Sequence, residues 1–321
     1  MVKQMKKLIS LVIPCYNEQE SIVILYDEIK KVSYELERYE LEYIFVDDGS
    51  DDKTLEILKE LSKDDKRVRY ISFSKNFGKE SAMYAGLCNA CGDYVAILDA
   101  DMQDPPMLLP EMIKHLETQD YDSVATRRVT RKGEPIVRSA FARMFYRIMN
   151  RISDADIMDG ARDFRLMKRP MVDAIVTMSE HNRFSKGIFG WVGFRTYWIP
   201  YENAERVAGK TKWNFWKLLK YSVDGIISFS NTPVSLIFLL GALLLFAGVV
   251  LAAVCAIGAL LLKVSVDNWI IILFAAMLIL GLQLIALGIL GKYITNINAE
   301  VKKRPHYIIA ETNDINAERI R

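Results

Sequence analysis

The sequence predicts an α/β domain built on a mostly parallel sheet, followed by a transmembrane hairpin of two helices. Short apolar runs alternate with segments of helical periodicity through the first hundred residues. Two long stretches, 225–262 and 268–291, carry no charge at all. Composition agrees: 51% of the 321 residues are hydrophobic and 26% charged, yet the mean hydropathy is +0.10, so the apolar residues are concentrated. With 42 basic against 40 acidic residues the net charge is only +2, which argues against a general nucleic-acid binder.

Residues 8–13 (Leu-Ile-Ser-Leu-Val-Ile) read as a buried strand ending at Pro14. The basic segment Met1–Ser10 before it lacks the apolar length and cleavage site of a signal peptide. Asn17 is expected to cap a helix whose apolar positions are Ile22, Leu25, Ile29, Val32 and Leu36. A second strand, Tyr43–Val46, stops at Asp47-Asp48-Gly49-Ser50. Leu55, Leu58 and Leu61 mark a helix, Val68–Phe73 a strand, Ser81–Ala90 a helix of small residues, and Tyr94–Leu98 a strand ending at Asp99. Ligands of such sheets sit beyond the carboxyl ends of the strands. Three of those ends carry polar clusters: Pro14–Glu18, Asp47–Ser50 and Asp99–Asp104.

The last cluster is the sharpest. Strand alternation would send Asp99 and Asp101 to one side, with Gln103 following. Carboxylates held together repel unless a cation joins them, and oxygen ligands of this kind suit Mg²⁺ or Mn²⁺ holding a diphosphate. The same run also reads as an Asp-rich turn before Pro105-Pro106. Cys88 and Cys91 form a C-x-x-C without a second pair, so they and Cys15 are expected to be buried, reduced thiols.

A spanning helix needs about 20 apolar residues, which both charge-free stretches supply. Only Lys263–Asp267 separates them, a turn that returns the chain to its starting side. Lys210, Lys212, Lys217 and Lys220 precede the hairpin; Lys292, Lys302, Lys303 and Arg304 follow it. The positive-inside rule therefore puts both termini and the first domain in the cytoplasm, on the inner (plasma) membrane. The expected divisions are a cytosolic domain over 1–212, a juxtamembrane amphipathic segment over 213–232, the hairpin over 233–292 and a cytosolic tail over 293–321.

Within the first of these lies a basic stretch, with Arg127, Arg128, Arg131, Lys132, Arg138, Arg143, Arg147 and Arg151 against the single acid Glu134. Phe141, Phe145, Ile148 and Ile152 oppose the arginines, which suits a helix on the membrane surface or a solvated helix face. Residues 206–213 (Arg-Val-Ala-Gly-Lys-Thr-Lys-Trp) read as a flexible cationic loop, a juxtamembrane belt, or both.

Taken in order, Val12-Ile-Pro-Cys-Tyr-Asn-Glu18, Val46-Asp-Asp-Gly-Ser50, Asn76-Phe-Gly-Lys79, Gly92-Asp93 and Leu98-Asp-Ala-Asp-Met-Gln-Asp-Pro-Pro106 resemble the inverting GT-A glycosyltransferases of family 2. Asp163-Phe-Arg-Leu-Met167 and the C-terminal helix pair are similar to the polyisoprenyl-phosphate branch, which holds bactoprenol glucosyltransferases and dolichol-phosphate mannose synthases. The resemblance implies a GT-A domain that moves a hexose, glucose from UDP-glucose by preference, to a membrane polyprenyl phosphate. It places Pro14, Tyr16 and Glu18 around base and ribose, and Asp47 or Asp48 at the base, although Tyr16 also reads as a core-edge residue and Asp48 as a turn cap. Lys79, Asp99, Arg127, Arg206 and Lys210 are implied for the nucleotide sugar, with Asp99, Asp101 and Gln103 holding Mn²⁺ or Mg²⁺. Arg138 and Arg143 are implied for the acceptor phosphate, Asp163 and then Asp159 for a general base, and a homo-oligomer is allowed. A GDP-mannose or UDP-N-acetylhexosamine donor stays open, as does a catalytically inactive, membrane-tethered sugar-nucleotide-binding module.

Overall fold

The computed structural model describes residues 6–129, 151, 158–201, scattered positions from Thr232 to Val250, and 269–313. In chain order its elements are β1 (Lys7–Cys15), α1 (Ile22–Ser33), β2 (Tyr39–Asp47), α2 (Thr54–Asp64), β3 (Val68–Phe73), α3 (Lys79–Asn89), β4 (Tyr94–Ile97) and α4 (Leu109–Thr118). There follow β5 (Ser123–Arg128), β6 (Ala161–Lys168), α5 (Arg169–Thr177), α6 (Ser185–Trp191), β7 (Thr196–Tyr201), α7 (Trp269–Lys302) and β8 (Ile309–Thr312). Two compact units result: Met1–Gly225 with Arg304–Arg321, and Ile226–Lys303.

In the first unit the strands form one sheet in the order β7-β5-β6-β4-β1-β2-β3-β8. Four pairings are parallel (β1–β2, β1–β4, β2–β3 and β5–β7), and β4–β6, β5–β6 and β3–β8 are antiparallel. β1 lies near the centre, and Ile9, Leu11, Val12 and Ile13 are fully buried there. A strand covered on both faces has no polar side to show, which is why its sequence reads as an unbroken apolar run. Its odd positions pack with Leu25 and Ile29 of α1, Leu58 of α2 and Met112 of α4. On the opposite face α3 comes close to β1: a Cβ on Gly86 would lie 2.2 Å from Val12 Cγ1.

The helix after β1 does not start from Asn17. It begins at Ile22 with Ser21 as its cap residue, while Asn17 adopts a left-handed φ of 51° and serves the neighbouring loop instead. Leu36 falls beyond α1 in a 3₁₀ turn, where it is still buried.

The second unit contains α7, which holds the second charge-free stretch and continues past Gly291 to Lys302, beyond the expected boundary at 292. Ile279–Lys302 is long and apolar enough to cross a membrane, and none of that window is buried in protein. Scattered positions between Thr232 and Val250 are helical; the rest of the first expected span lies outside the described residues. Part of the expected C-terminal tail, 304–313, packs with the first unit. Ile309–Thr312 pair with β3 as an edge strand, Tyr307 stacks on Phe73 at 4.8 Å, and Lys59 pairs with Glu311 at 2.6 Å.

Candidate active site

Three strand ends converge as the sequence predicts, joined through side chains that it does not reveal. After β1, Asn17 N donates to Ser50 Oγ at 2.9 Å, and Asp51 N donates to Asn17 Oδ1 at 2.9 Å. Glu18 N donates to Thr54 Oγ1 at 2.9 Å, and the Glu18 carboxylate accepts from Ser21 Oγ at 2.8 Å. Pro14 is buried, and Tyr16 and Glu18 are half-buried at this rim.

Asp47 and Asp48 both point inward. Asp47 is fully buried, accepting from Ser50 N at 3.1 Å and Ser72 Oγ at 2.8 Å. Asp48 accepts from Phe77 N at 2.6 Å and Gly78 N at 2.9 Å, so it shapes the loop after β3. Its burial outweighs those amide bonds and lifts its pKa to about 6. Gly49 makes the packing feasible: its φ is +66°, and a Cβ there would sit 2.4 Å from the Lys75 carbonyl carbon.

Lys79 opens α3 directly after Gly78, whose φ is 100°. Its Nζ lies 2.6 and 2.8 Å from the two oxygens of Asp99 and donates to Asp163 Oδ2 at 2.5 Å. One ammonium thus ties the start of α3 to the end of β4 and the middle of β6. Burial alone would depress the Lys79 pKa, but Asp163 and Asp99 more than reverse this and hold it above the usual range. Burial would likewise raise Asp163, yet Lys79 first, then Lys186, keep it well below the usual carboxylate range.

Strand alternation does not extend through the Asp99–Gln103 run, because β4 stops at Ile97 and Met102 turns left-handed with a φ of 60°. Asp101 Oδ1 accepts from Gln103 N at 3.1 Å, the local bond of a turn. The Gln103 side-chain oxygen accepts from Arg162 at 3.3 Å, and Arg162 Nε donates to the fully buried Asp104 at 3.0 Å. Tyr201 OH also donates to Asp104.

The donor set nevertheless fits a divalent cation. Asp99 Oδ1 is buried with no donor aligned for a hydrogen bond and has the Lys79 ammonium at 2.6 Å, so a cation already lies against this hard anionic oxygen. Asp101 is half-buried beside it. Among the described residues no group of three or more His, Cys, Asp and Glu could hold a metal unaided. Two carboxylates suit an ion that completes its shell with substrate phosphates and water.

Arg127 lies half-buried at the end of β5, its Nε without a hydrogen-bond partner. Asp159 is exposed on the turn before β6, away from the inward position of Asp163. Arg138, Arg143, Arg206 and Lys210 lie outside the described residues, as do Cys255 and most of the basic stretch. The C-x-x-C differs from expectation in burial: Cys88, inside α3, is half-buried and Cys91, just beyond it, is exposed, both as free thiols. Arg162, Arg165 and Lys186 were missed as site residues. A charged residue at an inward position of an apolar strand was the available signal for Arg165.

Relatives set this geometry in context. A sequence profile of Glycosyl transferase family 2 matches residues 10–176. The prophage bactoprenol glucosyl transferase homolog of Escherichia coli K12 is 38% identical over 301 residues, 94% of this chain and 98% of that protein. The bactoprenol glucosyl transferase of Shigella phage SfII is 39% identical over 305 residues, 95% of this chain and 98% of that one. Among solved structures, the mannosyltransferase PcManGT of Pyrobaculum calidifontis, in complex with GDP-Man and Mn²⁺, superposes with a TM-score of 0.50 at 20% identity. It covers 93% of this chain and 87% of its own, and it shares the GT-A-like fold. The profile match and the near-full-length identity to two relatives lead to one conclusion: the chain is an enzyme that belongs to glycosyl transferase family 2.

Proposed function

We propose that this enzyme transfers glucose from UDP-glucose to a polyprenyl phosphate in the membrane, inverting the anomeric carbon and leaving UDP. The observation that carries the reading is the Asp99–Lys79–Asp163 cluster at the carboxyl ends of the parallel strands, in a chain that also holds an apolar helix of spanning length. The names of the relatives, bactoprenol glucosyl transferases of near-equal length, support glucose as the sugar and a polyprenyl acceptor, and UDP as the carrier is our reading from the family resemblance.

In the reaction an oxygen of the acceptor phosphate attacks the sugar's C1 as the bond from C1 to the nucleotide diphosphate breaks. Asp99 and Asp101 would hold Mg²⁺ or Mn²⁺, whose Lewis acidity offsets the charge growing on the leaving diphosphate. PcManGT, of the same fold, holds Mn²⁺ with its nucleotide sugar. Lys79 fixes Asp99 and Asp163 relative to each other. A phosphate monoester has a second pKa of about 6 and is mostly dianionic at neutral pH, so it needs little help from a base. Asp163 remains our nominated base, ionised throughout the working range, with any residual proton its only task.

The sheet supports the membrane topology. Residues on both sides of Ile226–Lys303 belong to one sheet, which supports an even number of bilayer crossings between them. With α7 as one crossing, the charge-free stretch 225–262 supplies the other, and the positive-inside rule puts the catalytic unit in the cytoplasm.

A donor screen tests the proposal, using the full chain in detergent with undecaprenyl phosphate, Mn²⁺ or Mg²⁺, and labelled UDP-glucose, UDP-galactose, UDP-N-acetylglucosamine or GDP-mannose. Metal-dependent label from UDP-glucose in the lipid fraction, lost in Asp101→Ala, is the expected result. Transfer from another donor alone would reassign the sugar, and no transfer at all with intact nucleotide binding would make the chain a binding module.

A further inference from the structure

Two residues beyond Asp163 on β6, Arg165 is only 2% exposed. Strand register sets Ile97, Arg165, Ala125 and Trp198 in one row across β4, β6, β5 and β7. Ala125, the neighbour of Arg165 in that row, is a small residue. The Arg165 Cζ is 3.7 Å from the centroid of the Phe189 ring and 5.9 Å from that of Trp198. Among the described residues no carboxylate forms an ion pair with it, and its Nε is buried without a hydrogen-bond partner. Asp163, whose charge reaches Arg165, is already held by Lys79 at 2.5 Å.

An uncompensated guanidinium is costly to bury, and burial pulls its pKa down to about 9. Stacking on Phe189 returns part of that cost, though a methionine would occupy the same space without incurring it. Lys186 on α6 adds a second cation whose charge acts on Asp163. The cluster around Asp163 therefore carries Lys79, Arg162, Arg165 and Lys186, and Asp163 itself is committed to Lys79.

We propose that Arg165 is an anion-binding residue that receives a phosphate group beside Asp163. The planar guanidinium fork matches two oxygens of a phosphate, which an ammonium does not. This inference rests on the proposed transfer for its ligand: the phosphate comes from the acceptor lipid's monoester or from the donor's diphosphate, both of which meet at Asp99 and Asp163. A purely structural stack on Phe189 is the competing explanation, and it makes the opposite prediction for stability.

The test uses the full chain in detergent as wild type, Arg165→Met and Arg165→Lys. Thermal unfolding is followed with and without inorganic phosphate or pyrophosphate, and Trp198→Phe identifies the fluorescence change due to the neighbouring indole. Wild type should be stabilised by the anions. Without ligand, Arg165→Met should unfold at or above the wild-type temperature, and it should lose the anion-induced shift. The KM for undecaprenyl phosphate and the Kd for UDP then separate the two sources. A rise of about tenfold or more in the first alone places the acceptor phosphate at Arg165, and in the second alone the donor diphosphate. Arg165→Lys, which keeps the charge without the fork, should recover part of the affinity and gives the same comparison if the methionine variant does not fold. A variant that unfolds earlier yet keeps the anion-induced shift, with both constants within about twofold of wild type, would overturn the proposal in favour of the stack. Should wild type transfer no sugar while Arg165→Met still abolishes the anion-induced shift, the proposed reaction fails and the anion site stands.

Discussion

Replacing Lys79 with methionine removes the only cation in hydrogen-bond contact with both Asp99 and Asp163 among the described residues. Deleting one partner of a buried ion pair costs about 3–5 kcal/mol, because the remaining charge stays desolvated. The Lys79 side chain is 36% exposed, against 17% and 16% for Asp99 and Asp163, so water screens part of that cost. About 2–3 kcal/mol is expected, or a fall in Tm of about 5–10 °C for a catalytic unit of this size. The pH dependence gives a second readout. In wild type the Asp163 pKa is depressed, so its contribution is present above the ordinary carboxylate pKa and is lost only as pH falls below it. Without Lys79 two carboxylates face each other, and acidifying from pH 7 to 5 should stabilise the variant instead. Mn²⁺ should also raise the Tm of the variant by more than that of wild type, since the ion would replace the missing positive charge. Thermal unfolding of the full chain in detergent, read by near-ultraviolet circular dichroism across pH and Mn²⁺, measures all three effects. A variant within about 2 °C of wild type, with the same pH and metal response, would refute the bridging role of Lys79.

Asp48→Asn should flatten a pH dependence that wild type shows. Burial raises the Asp48 pKa from 3.8 to about 6, so wild type loses about 3 kcal/mol of stability as pH rises through that window. Denaturant midpoints at pH 4 and 7 would expose the difference. Arg162→Met should cost about 3–5 kcal/mol by leaving the fully buried Asp104 with Tyr201 alone, and loss of soluble expression or a Tm lowered by more than 6 °C would report it. Asp163→Asn should slow transfer about tenfold at every pH of the working range, because the wild-type carboxylate is ionised throughout it. Near-full turnover would end the assignment of Asp163 as the base.

Much of this was legible from local pattern. The apolar runs at 8–13 and 68–73 became β1 and β3 because a strand buried on both faces must be apolar throughout. The polar clusters stand at strand ends because only there can a parallel sheet present side chains to a ligand. Other features were not legible, since they depend on partners distant in sequence. Asn17 reads as a helix cap, yet it bonds to Ser50 and Asp51. The resemblance implies Asp47 or Asp48 at a base, but only the fold shows that Ser72 and the Phe77–Gly78 amides bond to their carboxylates.

By itself the sequence determined the α/β class, the positions of the strand ends, the charge-free stretches and the family motifs, because each is written in residues a few positions apart. Tertiary structure alone decided that Lys79, already beside Asp99, reaches Asp163 across 84 residues, and that Ile309–Thr312 returns to pair with β3. Only tertiary structure, again, left Arg165 buried without an acid partner among the described residues. The physical reason is common to all three: an ion pair, an edge pairing and a desolvated charge depend on what the fold brings within a few ångströms, and no local periodicity encodes that distance.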